Sequence, residues 1–401
     1  MSGAGAPREA RRLRVLIVTD QWAPLVGGVP TATRGLADGL AGRGHEVAVL
    51  APAPGRRAAA APPGPARVHH LRSVPWPWYG GMRVACAPPP AVRSLVAGLR
   101  PDVVHIHSPL TLGLAARRAA RRARIPVVYT NHYLPANARP AATGRPGRFD
   151  AAFYAFIVGF ASGCDRVTAP TATALELLRR AGLRAPGQVI SNGVDADRYS
   201  PGQADERLRS RYQLPAGQPL ILSVGRLSAE KRVEVLLAAA ARLTSGARLV
   251  IAGTGPHAPR LHAAAGRLGV AGRVSFLGHV PDPDLPGLYR LASVFAIASE
   301  AELQSLATLD AMASGLPVVA VDACALGELV RHGRNGFLCQ PGNVHEIATY
   351  LDILINDPAE RARMGGQSRL LARGHERHRG LAEWEALYRR LAAGLPAGRE
   401  L

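Results

Sequence analysis

Pro219-Leu220-Ile221-Leu222-Ser223-Val224-Gly225-Arg226-Leu227-Ser228-Ala229-Glu230-Lys231-Arg232 opens on an apolar run, passes through a Gly-Arg pair and resumes with helix-favouring residues. It reads as a strand entering a loop and then a helix, the repeating unit of a parallel sheet. The alternation extends in both directions. Upstream, strands are expected at 14–19, 46–50, 103–107, 126–130, 165–169 and 188–190. A polar stretch from Gly193 to Gln218 reads as a linker, and the alternation restarts at 220–224, 248–252, 274–277, 294–297 and 317–321. The fold class is therefore α/β, with two Rossmann-like, doubly wound parallel-sheet domains over 1–200 and 201–375. Sheets of this kind bind ligands beyond the carboxyl ends of their strands, so the inter-domain cleft is the expected site. The remainder, 376–401, is read as a helix, because Trp384, Leu387, Tyr388 and Leu391 recur at i, i+3, i+4 and i+7. Its apolar stripe must dock on the body of the protein.

Composition narrows the class. The chain has 401 residues, 47% of them hydrophobic, enough for packed cores in two or three domains. Its net charge is +20, and residues 1–200, with 26 Arg against 10 Asp and Glu, hold +16 of it. A pI near 11.1 invites a polyanion-binding reading. Against specific nucleic-acid recognition, Arg117-Arg118 and Arg121-Arg122 lie on one short helix with no interleaved aromatics. An anionic membrane surface attracts the same charge. No apolar stretch reaches the roughly 18 residues that span a bilayer, Met1 to Pro7 is not a signal peptide, and the four cysteines lack metal or disulfide spacing. The expectation is a cytoplasmic protein, at most peripheral on the inner face of a membrane. Trp76-Pro77-Trp78-Tyr79 has two readings: a cover over the first domain's core, or an amphipathic contact with lipid headgroups.

The chemistry-bearing residues cluster in the second half. Lys231 is the only lysine, against 48 arginines. A compact ammonium on a flexible stem suits a phosphate whose charge changes during reaction, so Arg226 and Lys231 read as a diphosphate clamp, beside the plain alternative of two surface cations at a helix start. Glu302 and Asp310 stand eight residues apart. Glu302 is expected at a helix start and Asp310 inside that helix, so about 12 Å of axis separates them, near the span from sugar to ribose in a nucleotide sugar. The N–H groups of Leu303, Gln304, Ser305 and Leu306 would then face the diphosphate. Three other signals are weak. Gly253-Thr254-Gly255 lacks the third glycine of a dinucleotide fingerprint and reads as a tight turn. In Asp282-Pro283-Asp284 the second acid reads as a helix cap. His105 and His107 are placed on opposite faces of their strand, not as joint ligands.

Taken in order, these segments resemble the retaining glycosyltransferases of family 4, which have the GT-B architecture. The likeness rests on Gly225-Arg226 with Lys231, Glu302 with Asp310, and Ala311-Met312-Ala313-Ser314-Gly315-Leu316-Pro317-Val318-Val319. It extends to Pro24-Leu25-Val26-Gly27-Gly28-Val29, Asn192-Gly193-Val194-Asp195 and Gly333-Arg334-Asn335-Gly336-Phe337-Leu338. It implies a UDP- or GDP-sugar donor as co-substrate, no metal and no other cofactor. Gly225, Arg226 and Lys231 would hold the diphosphate, Glu302 the sugar hydroxyls and Asp310 the ribose. Gly27 and Gly28 would form a loop whose missing Cβ atoms let backbone approach phosphate. His132 would lie beside the transferred sugar, either as a participant or as a hydrogen-bonded cleft residue. Two departures stand out: Asp310 replaces the family's usual Glu, and Leu303-Gln304-Ser305 replaces Gly-Phe-Gly. The Glu-x-Gln segment resembles the branch that glycosylates glycerolipids, implying a membrane glycerolipid or phospholipid acceptor. The alternatives are a soluble small-molecule acceptor and, from another class, a polyanion binder without turnover.

Overall fold

A computed structural model describes residues 11–55, 64–76, 82–134 and 148–395. The first half contains β1 (Arg14–Val18), β2 (Glu46–Pro52), β3 (Arg67–Leu71), the antiparallel pair β4 (Ser73–Pro75) and β5 (Arg83–Ala85), β6 (Val103–Ile106), β7 (Val127–Thr130), β8 (Arg166–Ala169) and β9 (Gly187–Val189). Seven of these form one parallel sheet in the order β3-β2-β1-β6-β7-β8-β9. The second half adds β10 (Leu220–Val224), β11 (Arg248–Ala252), β12 (Val274–Gly278), β13 (Val294–Ile297), β14 (Val318–Val321) and β15 (Gly336–Cys339). These form a second parallel sheet, β12-β11-β10-β13-β14-β15. Both are α/β sheets covered by helices, the GT-B architecture.

The central strands are apolar throughout because both faces are covered. In β1, Leu16 and Val18 enter one core with Val104 and Ile106, while Val15 and Ile17 enter the other with Val47 and Val49. Strands β3, β4, β5 and β15 were not among those expected, whereas the edges β9 and β12 were. β3 is Arg-Val-His-His-Leu and β4 is Ser-Val-Pro. Short, polar edges resist further pairing and carry little hydrophobic signal.

The stretch read as a linker is mostly part of the second domain. It contains a helix, Glu206–Arg211, and Leu208 and Leu214 are buried in the second core with Val194 and Tyr199. Polar composition hid two anchoring leucines. The chain crosses between domains twice, and the crossings lie side by side: Val194 N–H donates to the His375 carbonyl at 2.7 Å, and Arg377 N–H to the Val194 carbonyl at 2.9 Å. Gly193, at φ 81°, is required there, since a Cβ would come within 2.8 Å of the Arg377 Cα. The final helix, Arg377–Ala392, packs on the first domain, where Leu381, Trp384, Leu387 and Tyr388 close the core containing Val15 and Ile17.

Candidate active site at the facing switch points

In each sheet, neighbouring connections diverge at one place, between β1 and β6 and between β10 and β13. Such a point opens a crevice at the carboxyl ends of the strands. Gly27 and Gly28 follow β1, Gly225, Arg226 and Lys231 follow β10, Glu302 to Asp310 follow β13, and His132 follows β7.

On the second domain, the loops after β10 and β13 are laced together. The Glu300 N–H donates to the Glu230 carbonyl at 3.3 Å, and Arg232 pairs with Glu300 at 3.2 Å. Lys231 ends a single 3-10 turn, Ala229–Lys231, and its Nζ forms an ion pair with the Glu302 carboxylate. The proposed phosphate cation and the proposed sugar carboxylate thus meet directly. Arg226 lies on the same loop, partly buried. Gly225 opens this loop, and its shape depends on Gly253 and Gly255. A Cβ on Gly253 would lie 1.8 Å from the Gly225 carbonyl oxygen, and one on Gly255 would lie 2.2 Å from that of Leu227. The Gly253 turn is therefore structural, a backbone-to-backbone contact that supports the clamp.

Helix Leu306–Ala313 begins four residues after Glu302, so the pair Glu302 and Asp310 does not share one helix and the axial estimate does not apply. Ser305 caps the helix, its Oγ accepting from the Thr308 N–H at 3.2 Å. Leu306 is the first helical residue. Leu303 and Gln304 turn their side chains to the first domain, away from a donor. Leu303 packs in a small cluster with Leu134, Ala174 and Leu175, and its carbonyl accepts from the Thr171 hydroxyl at 2.7 Å. Gln304 is 8% exposed. Its Nε2 donates to the Pro170 carbonyl and to Ser191 Oγ, and its Oε1 accepts from the Asn192 N–H at 2.9 Å. An apolar side chain and a saturated amide suit a domain joint, which is what the replacement of Gly-Phe-Gly produces here.

Asp310 sits farther along the helix, beside the domain crossing. Burial pushes its carboxyl up to about 8, although part of its surface reaches solvent; Arg198 and Arg377 pull it back down, while Asp195 and Asp282 oppose them. Arg377 itself pairs with Asp195 at 3.1 Å. Nothing in the sequence singled out Arg377 or Arg198.

On the first domain, Gly27 and Gly28 start helix Gly28–Gly42. A Cβ at Gly28 would meet nothing within 4 Å, and one at Gly27 only Pro30 at ordinary contact distance. The fold therefore does not itself demand glycine at either place. His132, just past β7, is stacked on His107, with His107 Nδ1 and His132 Nε2 2.8 Å apart. Burial pulls the His132 imidazole down to about 4, so it is neutral at pH 7 and can both donate and accept a hydrogen bond. His105 and His107 lie on the same side, their rings 4.1 Å apart. Residues i and i+2 of a strand share a face, and the opposite-face expectation is corrected. His105 bridges Thr130 Oγ1 and the Tyr388 hydroxyl, each at 2.7 Å, tying the last helix to this cluster. Asp20, past β1, is 3% exposed. Nothing in the sequence sets it apart, since an isolated Asp after a strand looks like a turn residue.

Among the described residues the four cysteines are free, and no group of three or more His, Cys, Asp or Glu is placed to hold a metal. No helix among them is long and apolar enough to cross a membrane. Of the Trp76–Tyr79 segment, only Trp76 is among the described residues; 77–79 lie outside them, as do residues 1–10.

Two α/β domains with a cation and a carboxylate at the second switch point make up a GT-B architecture with a charged crevice. The profile described as "Glycosyltransferase Family 4" matches residues 26–198, and "Glycosyl transferases group 1" matches 204–370. A GDP-mannose-dependent alpha-mannosyltransferase of Mycolicibacterium smegmatis is 33% identical over 81% of this chain and 84% of its own length. An alpha-monoglucosyldiacylglycerol synthase of Streptococcus pneumoniae is 27% identical over 86% of this chain and 79% of its own. The sulfoquinovosyl transferase SQD2 of Arabidopsis thaliana is 30% identical over 76% of this chain, which spans 59% of that protein. Among solved structures, Anabaena HepE in complex with UDP-glucose superposes with a TM-score of 0.77 at 23% identity, over 93% of this chain and 99% of that one. The chain belongs to glycosyltransferase family 4. An enzyme thus replaces the polyanion binder without turnover.

Proposed function

We propose that the protein moves a hexose from a UDP- or GDP-sugar to a hydroxyl of a membrane glycerolipid or phospholipid, with retention of anomeric configuration and without a metal ion. The observation that carries this reading is the convergence of Arg226, Lys231 and Glu302 on the two loops of one switch point, next to a capped helix start. A nucleoside diphosphate seated there has Arg226 and Lys231 where negative charge grows as the glycosidic bond breaks. They supply the compensation that a divalent ion supplies in other sites. Glu302, released from Lys231 by the incoming phosphate, accepts hydrogen bonds from the sugar. Neutral His132 contributes a hydrogen bond from the opposite wall, and Asp310 takes the ribose. The lipid acceptor is supported by a relative named for diacylglycerol and by an apolar groove on the first domain. The basic surplus of residues 1–200 suits work at an anionic membrane surface.

The test incubates the protein with α-linked UDP- and GDP-hexoses and lipid vesicles, with EDTA present, and reads the product's anomeric proton by NMR. An α-linked glycolipid is expected. A β-linked product refutes retention, loss of turnover in EDTA refutes metal independence, and absence of thermal stabilisation by every nucleotide sugar refutes the donor site.

A further inference from the structure

The groove at the end of β1 encloses about 360 Å³ and is walled largely by Trp22, Pro24, Trp76 and Met82. Asp20 and Arg83 are the two charged residues lining it. Arg83 is built into the wall. Its Nε donates to the Ala53 carbonyl at 3.1 Å and to Ser73 Oγ at 2.7 Å, and its Nη2 to the Ser73 carbonyl at 2.7 Å. The Asp20 backbone N–H donates to Ser108 Oγ at 3.0 Å. Both of its carboxylate oxygens are buried without a hydrogen bond of normal geometry. The Ala85 backbone N–H is the one donor that pulls its pKa down, and burial outweighs it, pushing the carboxyl up to about 7. A buried carboxylate with no cation and no well-placed donor against it among the described residues is expensive to keep. Such a group calls for a donor from outside the protein, and the apolar walls say what kind of body carries that donor.

We propose that Asp20 selects the acceptor, receiving the hydroxyl of an uncharged diacylglycerol-type lipid whose glyceride body lies against Trp22, Pro24, Trp76 and Met82. The carboxylate oxygens accept the lipid's O–H, and no bond is made or broken at Asp20. An acceptor carrying a phosphate beside its hydroxyl would bring a second negative charge into an apolar groove whose one guanidinium among the described residues, that of Arg83, is already engaged by the wall, where like charges repel far more strongly than in water. The inference rests on the reading of a lipid-directed glycosyltransferase and narrows its acceptor from glycerolipids and phospholipids in general to neutral ones.

The test uses the full chain at pH 8 and the isosteric variant Asp20→Asn, which removes a buried charge and so keeps the fold. Binding of monomeric dihexanoylglycerol is followed by tryptophan fluorescence, and transfer is measured to dihexanoylglycerol, to diacylglycerol in phosphatidylcholine vesicles and to phosphatidylinositol in the same vesicles. The expected result is at least a tenfold weaker Kd and higher KM for dihexanoylglycerol in Asp20→Asn. The donor Kd, measured without acceptor, should stay within twofold. Wild type should prefer diacylglycerol over phosphatidylinositol, and the variant should narrow that preference. A vesicle-only effect with no change for the soluble glyceride, equal acceptor constants in both proteins, or a wild-type preference for phosphatidylinositol overturns the proposal. Failure to glycosylate any lipid while binding a nucleotide sugar overturns the lipid reading itself, which keeps the two failures apart.

Discussion

Lys231 pairs with Glu302, so in the proposed reaction donor binding exchanges that partner for phosphate. Because the charge it faces grows in the transition state, Lys231→Ala should lower kcat as well as donor affinity, by about 10²- to 10³-fold, in steady-state assays. Lys231→Arg keeps the charge but changes reach and geometry, and should remain clearly impaired; wild-type turnover by this variant would leave Arg226 as the whole clamp. Asp310 gives a pH-resolved test. Its folded-state carboxyl, raised from 3.8 to about 8, holds its proton while the unfolded one has lost it. Stability contributed by Asp310 therefore falls as pH rises through this window, and the full penalty is present above about pH 8. Asp310→Asn should raise the melting temperature by a few degrees at pH 9 and by much less at pH 5, while increasing the donor KM more than it lowers kcat. An equal shift in melting temperature at both pH values would show that the carboxyl ionises normally.

At the scale of elements, two pairs of glycines make opposite predictions. Gly255 is needed by the fold, because its missing Cβ admits the Leu227 carbonyl oxygen. Gly255→Ala should cost about 2 kcal/mol or more in chemical denaturation, as overpacked sites do, and should displace the Arg226 loop enough to weaken donor binding. Gly28 has open space where its Cβ would be. Gly28→Ala should leave the unfolding transition unchanged and weaken donor affinity alone, measured by calorimetry with the nucleoside diphosphate. If Gly28→Ala binds donor normally, that loop does not approach the phosphate. Helix Leu306–Ala313 shows the same division within one segment, since Ser305 serves the helix as its cap while Leu303 and Gln304 serve the joint between domains.

For the whole molecule, the decisive feature is that the chain returns. Helix Arg377–Ala392 closes the core of the first domain, and Trp384 is 6% exposed there. Trp384→Ala should cost about 3 to 5 kcal/mol, the usual range for a large aromatic removed from a core, read as an earlier unfolding transition of the first domain. Loss of Tyr388 would also strip His105 of a partner in the cluster that ends at His132. Charge acts on the same scale. With +16 on residues 1–200 against +4 on the rest, the protein should bind anionic liposomes at low salt and release as ionic strength shortens screening below about 10 Å. Indifference to anionic liposomes at low salt would remove the electrostatic support for a membrane acceptor.

The strand-loop-helix rhythm around Leu220–Val224 determined the two-domain α/β architecture by itself, since buried parallel strands must be apolar on both faces and write that fact locally. The loops proposed to hold the donor were legible for the same reason, because Arg226, Lys231 and Glu302 lie on loops that follow central strands, where any doubly wound sheet opens its crevice. Strand β3 was not, being short and polar. Only the tertiary structure decided how long-range contacts use the remaining side chains. Leu208 and Leu214 anchor an apparent linker, Gln304 spends its amide on the first domain, and Arg377 comes from the far end of the chain to the vicinity of Asp310. Asp20 carries the same lesson, for an aspartate's neighbours in space, which decide whether its charge is solvated, paired or stranded beside a groove, are not its neighbours in sequence.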